Sequence, residues 1–123
     1  MESTEQAPEL SIILPALNEA ASLDQLLPTL REVFPEAEVV VVNDGSQDDT
    51  VDICRRHDCR LVSNPYRMGN GAAIKRGARA ARGRYLAMMD ADGQHTAGDL
   101  RRLWNRFQSA DLDMVVGARR AKD

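Results

Sequence analysis

Residues 85 to 95 read Tyr-Leu-Ala-Met-Met-Asp-Ala-Asp-Gly-Gln-His, an apolar run that ends on two aspartates one residue apart. In an extended segment residues i and i+2 point the same way. Asp90 and Asp92 can therefore face one point in space, at the end of a buried strand. The carboxyl ends of the strands are where a parallel α/β sheet binds its ligands. Two carboxylates there are hard oxygen donors suited to Mg²⁺ or Mn²⁺, and such an ion in turn binds phosphate. The pair marks a candidate diphosphate site. Asp and Gly are also ordinary turn formers, so Asp-Ala-Asp-Gly could simply end a strand. The other strand ends favour the metal reading.

Two more segments with suitable polar groups follow apolar runs. One is Pro15-Ala16-Leu17-Asn18-Glu19 and the other is Asn43-Asp44-Gly45-Ser46. A carboxylate such as Asp44 can accept hydrogen bonds from a base N–H, and a backbone loop around Leu17 can pack against the base. Asp90, Asp92 and Gln94 supply oxygens for a metal that neutralises a diphosphate. For Asn43 to Ser46 the competing reading is a turn plus a helix cap.

The elements that must position these groups alternate. Leu10 to Leu14 reads as a first strand ended by Pro15, and Val39 to Val42 as a strand buried on both faces. Leu61-Val62 gives a short third strand, Tyr85 to Met89 a fourth and Asp113 to Val116 a fifth. Between them lie helical patterns. Leu23, Leu26, Leu27, Leu30 and Phe34 follow helical spacing behind a Ser22/Gln25 capping box, with Pro28 a local conflict. A second helix starts near Asp48 or Asp49, and a third runs through the Ala-rich stretch from Gly69 to Arg82. A fourth, capped by Thr96, carries Leu100, Leu103, Trp104 and Phe107 as its core stripe. This β-α-β-α order predicts an α/β fold, a mainly parallel, doubly wound sheet between helical layers. Neither a Gly-x-Gly-x-x-Gly fingerprint nor a Walker phosphate loop is present.

At 123 residues the chain is one domain by length, and 43% hydrophobic with 28% charged residues is a globular composition. We read residues 1–9 as a loose tail and 10–123 as the domain. The net charge of −3, without a basic block, points to no nucleic-acid partner. Cys54 and Cys59 make no disulfide framework, and with no secretory h-region a reducing cytoplasm is the expected location. Cys54, His57 and Cys59 lack a fourth ligand for structural zinc. No apolar run approaches the ~20 residues that span a bilayer.

Together the segments Leu-Pro-Ala-Leu-Asn-Glu (14–19), Val-Val-Val-Asn-Asp-Gly-Ser-Gln-Asp (40–48), Gly-Asn-Gly-Ala-Ala-Ile-Lys-Arg-Gly (69–77) and Met-Met-Asp-Ala-Asp-Gly-Gln-His (88–95) resemble family 2 glycosyltransferases with the GT-A fold. The resemblance runs from Leu10 to Arg119, and the Asp-Gly-Gln-His form is most similar to the branch of dolichyl-phosphate mannose synthases and polyprenyl-phosphate glycosyltransferases. It implies that Pro15, Leu17 and Glu19 line a nucleoside pocket, that Asp44 recognises the base, and that Asp90 and Asp92 bind metal and donor diphosphate. It also implies Gln94 as a third metal ligand and Arg119 near a phosphate. The expected donor is a UDP- or GDP-linked sugar, the acceptor a polyprenyl phosphate, and the place of work the cytoplasmic face of a membrane.

The chain departs from many relatives in carrying Arg67 for Asn and Ala97 for Pro. Family members also continue well past the fifth strand, so the expectation is a donor-binding half without its acceptor half. An open fifth strand would offer an edge for pairing with a second copy. The rival from another class is a non-catalytic nucleotide- or nucleotide-sugar-binding module. A nucleotidyltransferase is disfavoured, because Pro15 to Glu19 is unlike its Gly-rich basic loop.

Overall fold

In the computed structural model residues 8–91 and 97–110 are described. The β-branched run at 39–42 does form a central strand. Four strands, β1 (Leu10–Ala16), β2 (Glu38–Asn43), β3 (Arg60–Ser63) and β4 (Tyr85–Met88), pair in the order β3-β2-β1-β4, every pair parallel. Four helices, α1 (Ala20–Val33), α2 (Thr50–Arg56), α3 (Asn70–Ala80) and α4 (Ala97–Ala110), alternate with them.

The period of two along each strand divides the core between two faces. Leu10, Ile12, Leu14 and Ala16 of β1 pack with Val41 against the apolar stripes of α1, α2 and α4. Ile13 of β1 and Val40 and Val42 of β2 face α3 through Ala73. The result is the expected three-layer α/β/α arrangement. Gly77 lets α3 lie close on the sheet: a Cβ there would come within 2.6 Å of Ile13 Cγ2. On the other face Tyr85, Trp104 and Phe107 form an aromatic cluster, so Trp104 is core.

Several local expectations are corrected. β1 does not stop at Pro15 but runs through Ala16. Ile13 O accepts Met89 N on the β4 side and Ala16 O accepts Asp44 N on the β2 side. Pro15, two residues after Ile13, therefore faces past the end of β4, where the ladder needs no donor. The Ser22 capping box is not the start of α1; the helix begins at Ala20, with Glu19 as its N-cap residue. It runs unbroken through Pro28, which is exposed. Pro8 and Glu9 are not wholly tail, since Tyr85 N donates to Glu9 O at 2.8 Å. β4 is not the buried strand expected: Leu86 and Met88 are 44% and 54% exposed. The expected fifth strand and the Thr96 cap lie outside the described residues. Among the described residues no helix is long and apolar enough to cross a membrane.

Candidate functional site

The strand order makes one place special. The chain steps outward from β1 to β2 to β3, then returns to add β4 on the other side of β1. In open α/β sheets ligands bind at the carboxyl ends of the strands beside such a reversal; here α1 and α4, which follow β1 and β4, pack on the same face of the sheet. Leu17 to Glu19 follows β1, Asn43 to Ser46 closes β2 and Asp90 follows β4, so three of the sequence-predicted segments meet at this edge.

The β1 and β2 loops are joined side chain to backbone. Asn18, held at φ 57°, accepts Gln47 N on Oδ1 at 2.8 Å, while its own N–H donates to Ser46 Oγ at 2.9 Å. Glu19 N donates to Thr50 Oγ1 at 3.2 Å and Ala20 N to Asp48 Oδ2 at 3.2 Å. Asp48 Oδ1 also accepts Thr50 N. The open N–H groups at the start of a helix need partners. Here those of α1 come from a different loop, which fixes the positions of Leu17 and Glu19 relative to Asp44.

Asp44 is buried, and it is neither a turn former nor a cap of α2. Its Oδ1 accepts Asn64 Nδ2 and Met68 N, both at 2.8 Å, and its Oδ2 accepts Gly69 N at 3.0 Å. Burial pushes its carboxyl up, but hydrogen bonds from Met68 N, Asn64 and Gly69 N, with Arg67 nearby, outweigh this and hold it below its ordinary value. The carboxylate thus anchors the loop from Asn64 to Gly69 onto the end of β2. Gly45 completes the seat: with φ +84° it leaves room for the loop backbone, and a Cβ there would sit 2.7 Å from Arg67 N. Asn64 has a cost of its own. Among the described residues its Oδ1 is buried and meets no hydrogen-bond donor, the arrangement that is costly unless a donor is supplied. Asn64 and the two loop N–H groups carry no signal in the sequence beyond an Asn-Pro turn; their role follows from β3 lying beside β2.

Pro15 and Leu17 are half-buried at the crevice, Glu19 begins α1 there, and Asp90 is half-buried just after β4. Asp92, Gln94 and Arg119 lie outside the described residues. Asp90 is a hard oxygen donor at the strand end, which fits Mg²⁺ or Mn²⁺. Among the described residues no three His, Cys, Asp or Glu side chains gather as a metal set. His57 Nε2 pairs with Asp24 Oδ1 at 2.8 Å, and Cys59 Sγ donates to Cys54 O.

A groove of about 490 Å³ lies at the opposite, amino end of the strands, lined by residues including Arg31, Glu38 and Arg82. Three of its charged residues are engaged with the protein itself. Glu38 accepts Ser11 Oγ, Arg82 N and Arg82 Nε, and Arg31 donates to the carbonyls of His57 and Asp58 at the end of α2. The carboxyl edge is the better candidate.

The profile described as Glycosyl transferase family 2 matches residues 11–123. The chain belongs to glycosyl transferase family 2. This family 2 chain is 30% identical over 129 residues to a dolichyl-phosphate beta-glucosyltransferase of Dictyostelium discoideum, covering 89% of the chain and 39% of that protein. Its fold matches glucosyl-3-phosphoglycerate synthase from Mycobacterium tuberculosis, solved with Mn²⁺, UDP and glucosyl-3-phosphoglycerate. The TM-score is 0.69 at 25% identity, over 81% of the chain and 39% of the synthase. It also matches a mannosyltransferase from Pyrobaculum calidifontis solved with GDP-Man and Mn²⁺, with a TM-score of 0.66 at 28% identity over 80% and 33%. The chain spans about half the length, or less, of the curated relatives it matches. The family's fold is the parallel α/β arrangement described above.

Proposed function

We propose that the carboxyl edge of the sheet is a donor site for a nucleotide-diphosphate sugar. In this reading the family 2 protein transfers the sugar, with inversion, to a polyprenyl phosphate. The observation that carries the reading is the convergence of the β1 loop, Asp44 and Asp90 where the strand order reverses. Pro15, Leu17 and Glu19 line the nucleoside, and Asp44 hydrogen-bonds the base. Asp90, with Asp92 and Gln94, holds the divalent ion, and Arg119 approaches a phosphate. The ion, Mg²⁺ or Mn²⁺, stabilises charge on the leaving diphosphate. A phosphate acceptor is already anionic, so the transfer needs no protein base. Mn²⁺ accompanies the nucleotide in both solved relatives, one with UDP and one with GDP-Man, so the fold alone does not set the base. A dolichyl-phosphate relative supports a lipid-linked acceptor and hence work at a membrane surface, which in this reading is the cytoplasmic face.

The test is calorimetric titration with UDP- and GDP-sugars, with Mn²⁺ or with chelator. Donor binding should need the ion in the native chain and lose that dependence in Asp90→Ala. Equal affinity with and without chelator in the native chain would remove the metal from the reading.

A further inference from the structure

The anchoring of the Asn64 loop limits what Asp44 can still bind. A carboxylate offers about four lone-pair positions, two on each oxygen. Asn64 Nδ2 and Met68 N fill both positions on Oδ1, and Gly69 N takes one on Oδ2. One acceptor position is left. The Asn64 amide cannot rotate to change this, because its flipped form would set a carbonyl against the carboxylate. Its own Oδ1 points away from the Asp44 carboxylate that its Nδ2 bonds, and is buried.

Resting on the reading that Asp44 faces the base, we propose that Asn64 is a specificity-determining residue: by filling Oδ1 it leaves Asp44 a single acceptor and selects uracil over guanine. Uracil presents one ring N–H, N3–H, between two carbonyls. Guanine presents two adjacent donors, N1–H and N2–H, which would need both carboxylate oxygens. Against this Asp44 its second donor meets a saturated oxygen and stays unpaired once water is excluded. Cytosine and adenine set an unprotonated ring nitrogen beside their amine, towards the carboxylate charge.

The test is metal-free calorimetry of nucleoside monophosphates on the native chain, Asn64→Ala and Asp44→Asn, with circular dichroism as a check of folding. We expect UMP to bind about tenfold more tightly than GMP, the ratio set by one unmet hydrogen bond. UMP methylated at N3 should lose a similar factor. Asn64→Ala frees a position on Oδ1 and should narrow the UMP-to-GMP ratio several-fold. If that variant does not fold, the UMP, N3-methyl-UMP and GMP affinities of the native chain decide alone. GMP binding as tightly as UMP, while Asp44→Asn weakens both, overturns the role of Asn64 and leaves Asp44 at the base. Affinities indifferent to N3 methylation and to Asp44→Asn overturn the base reading and the inference with it, as does no binding by any nucleotide.

Discussion

Replacing Asp44 by alanine should loosen the carboxyl edge before any ligand is added. The change removes three hydrogen bonds to a buried carboxylate. Bonds to a charged group contribute about 1.5–3 kcal/mol each, but residues 65–68 are exposed and Gly69 is half-buried, so the freed Met68 and Gly69 N–H groups can turn to water. Asn64 cannot: its amide would be buried with neither its N–H₂ nor its Oδ1 partnered. Discounting the backbone terms leaves a loss of about 3 kcal/mol, a large share of the 5–15 kcal/mol typical of a domain. In a domain this small that lowers Tm by roughly 10–20 °C. Urea and thermal unfolding followed by far-ultraviolet circular dichroism measure it directly. Asp44→Asn keeps one acceptor oxygen and should lose about half as much. An Asp44→Ala midpoint within about 0.5 kcal/mol of the native chain, the range of ordinary surface substitutions, would refute the anchoring of the loop. Weakened nucleotide binding in Asp44→Ala must accordingly be read beside its stability.

Two further outcomes follow from the same geometry. Gly45→Ala combines a φ of +84° with a Cβ 2.7 Å from Arg67 N; it should cost on the order of 1–3 kcal/mol in denaturant unfolding and weaken nucleotide binding by displacing the loop. Glu38 is raised by burial but lowered further by Arg82 N, Ser11 and the Arg82 side chain, so its folded-state value lies below its ordinary 4.5. A depressed carboxyl contributes stability above its unfolded-state value and loses it as pH falls through the folded-state one. Unfolding free energy should therefore drop as pH is lowered from about 5, and Glu38→Gln should be less stable at pH 7 and show a flatter acid slope; an unchanged slope would show that Glu38 is not a linked group.

The sequence by itself determined the alternation of strands and helices, because burial and backbone period are local properties. The β-branched run Val39 to Val42 fits a buried strand, and Leu23, Leu26, Leu27 and Leu30 follow helical spacing. Polar residues directly after apolar runs were legible for the same reason, so Glu19, Asp44 and Asp90 stood out. Tertiary structure decided what those residues touch. Ser22 had the pattern of a cap, yet the N–H groups at the start of α1 go to Asp48 and Thr50, some thirty residues away. Pro15 looked like a stop, but β4 ends before it and so asks nothing of its missing N–H. Asp44 could have been a cap, a turn former or a ligand. Only the placement of β3 beside β2 brought Asn64, Met68 and Gly69 to its carboxylate. Hydrogen bonds between loops depend on strand order, and strand order is set by the packing of whole layers rather than by any short stretch of residues.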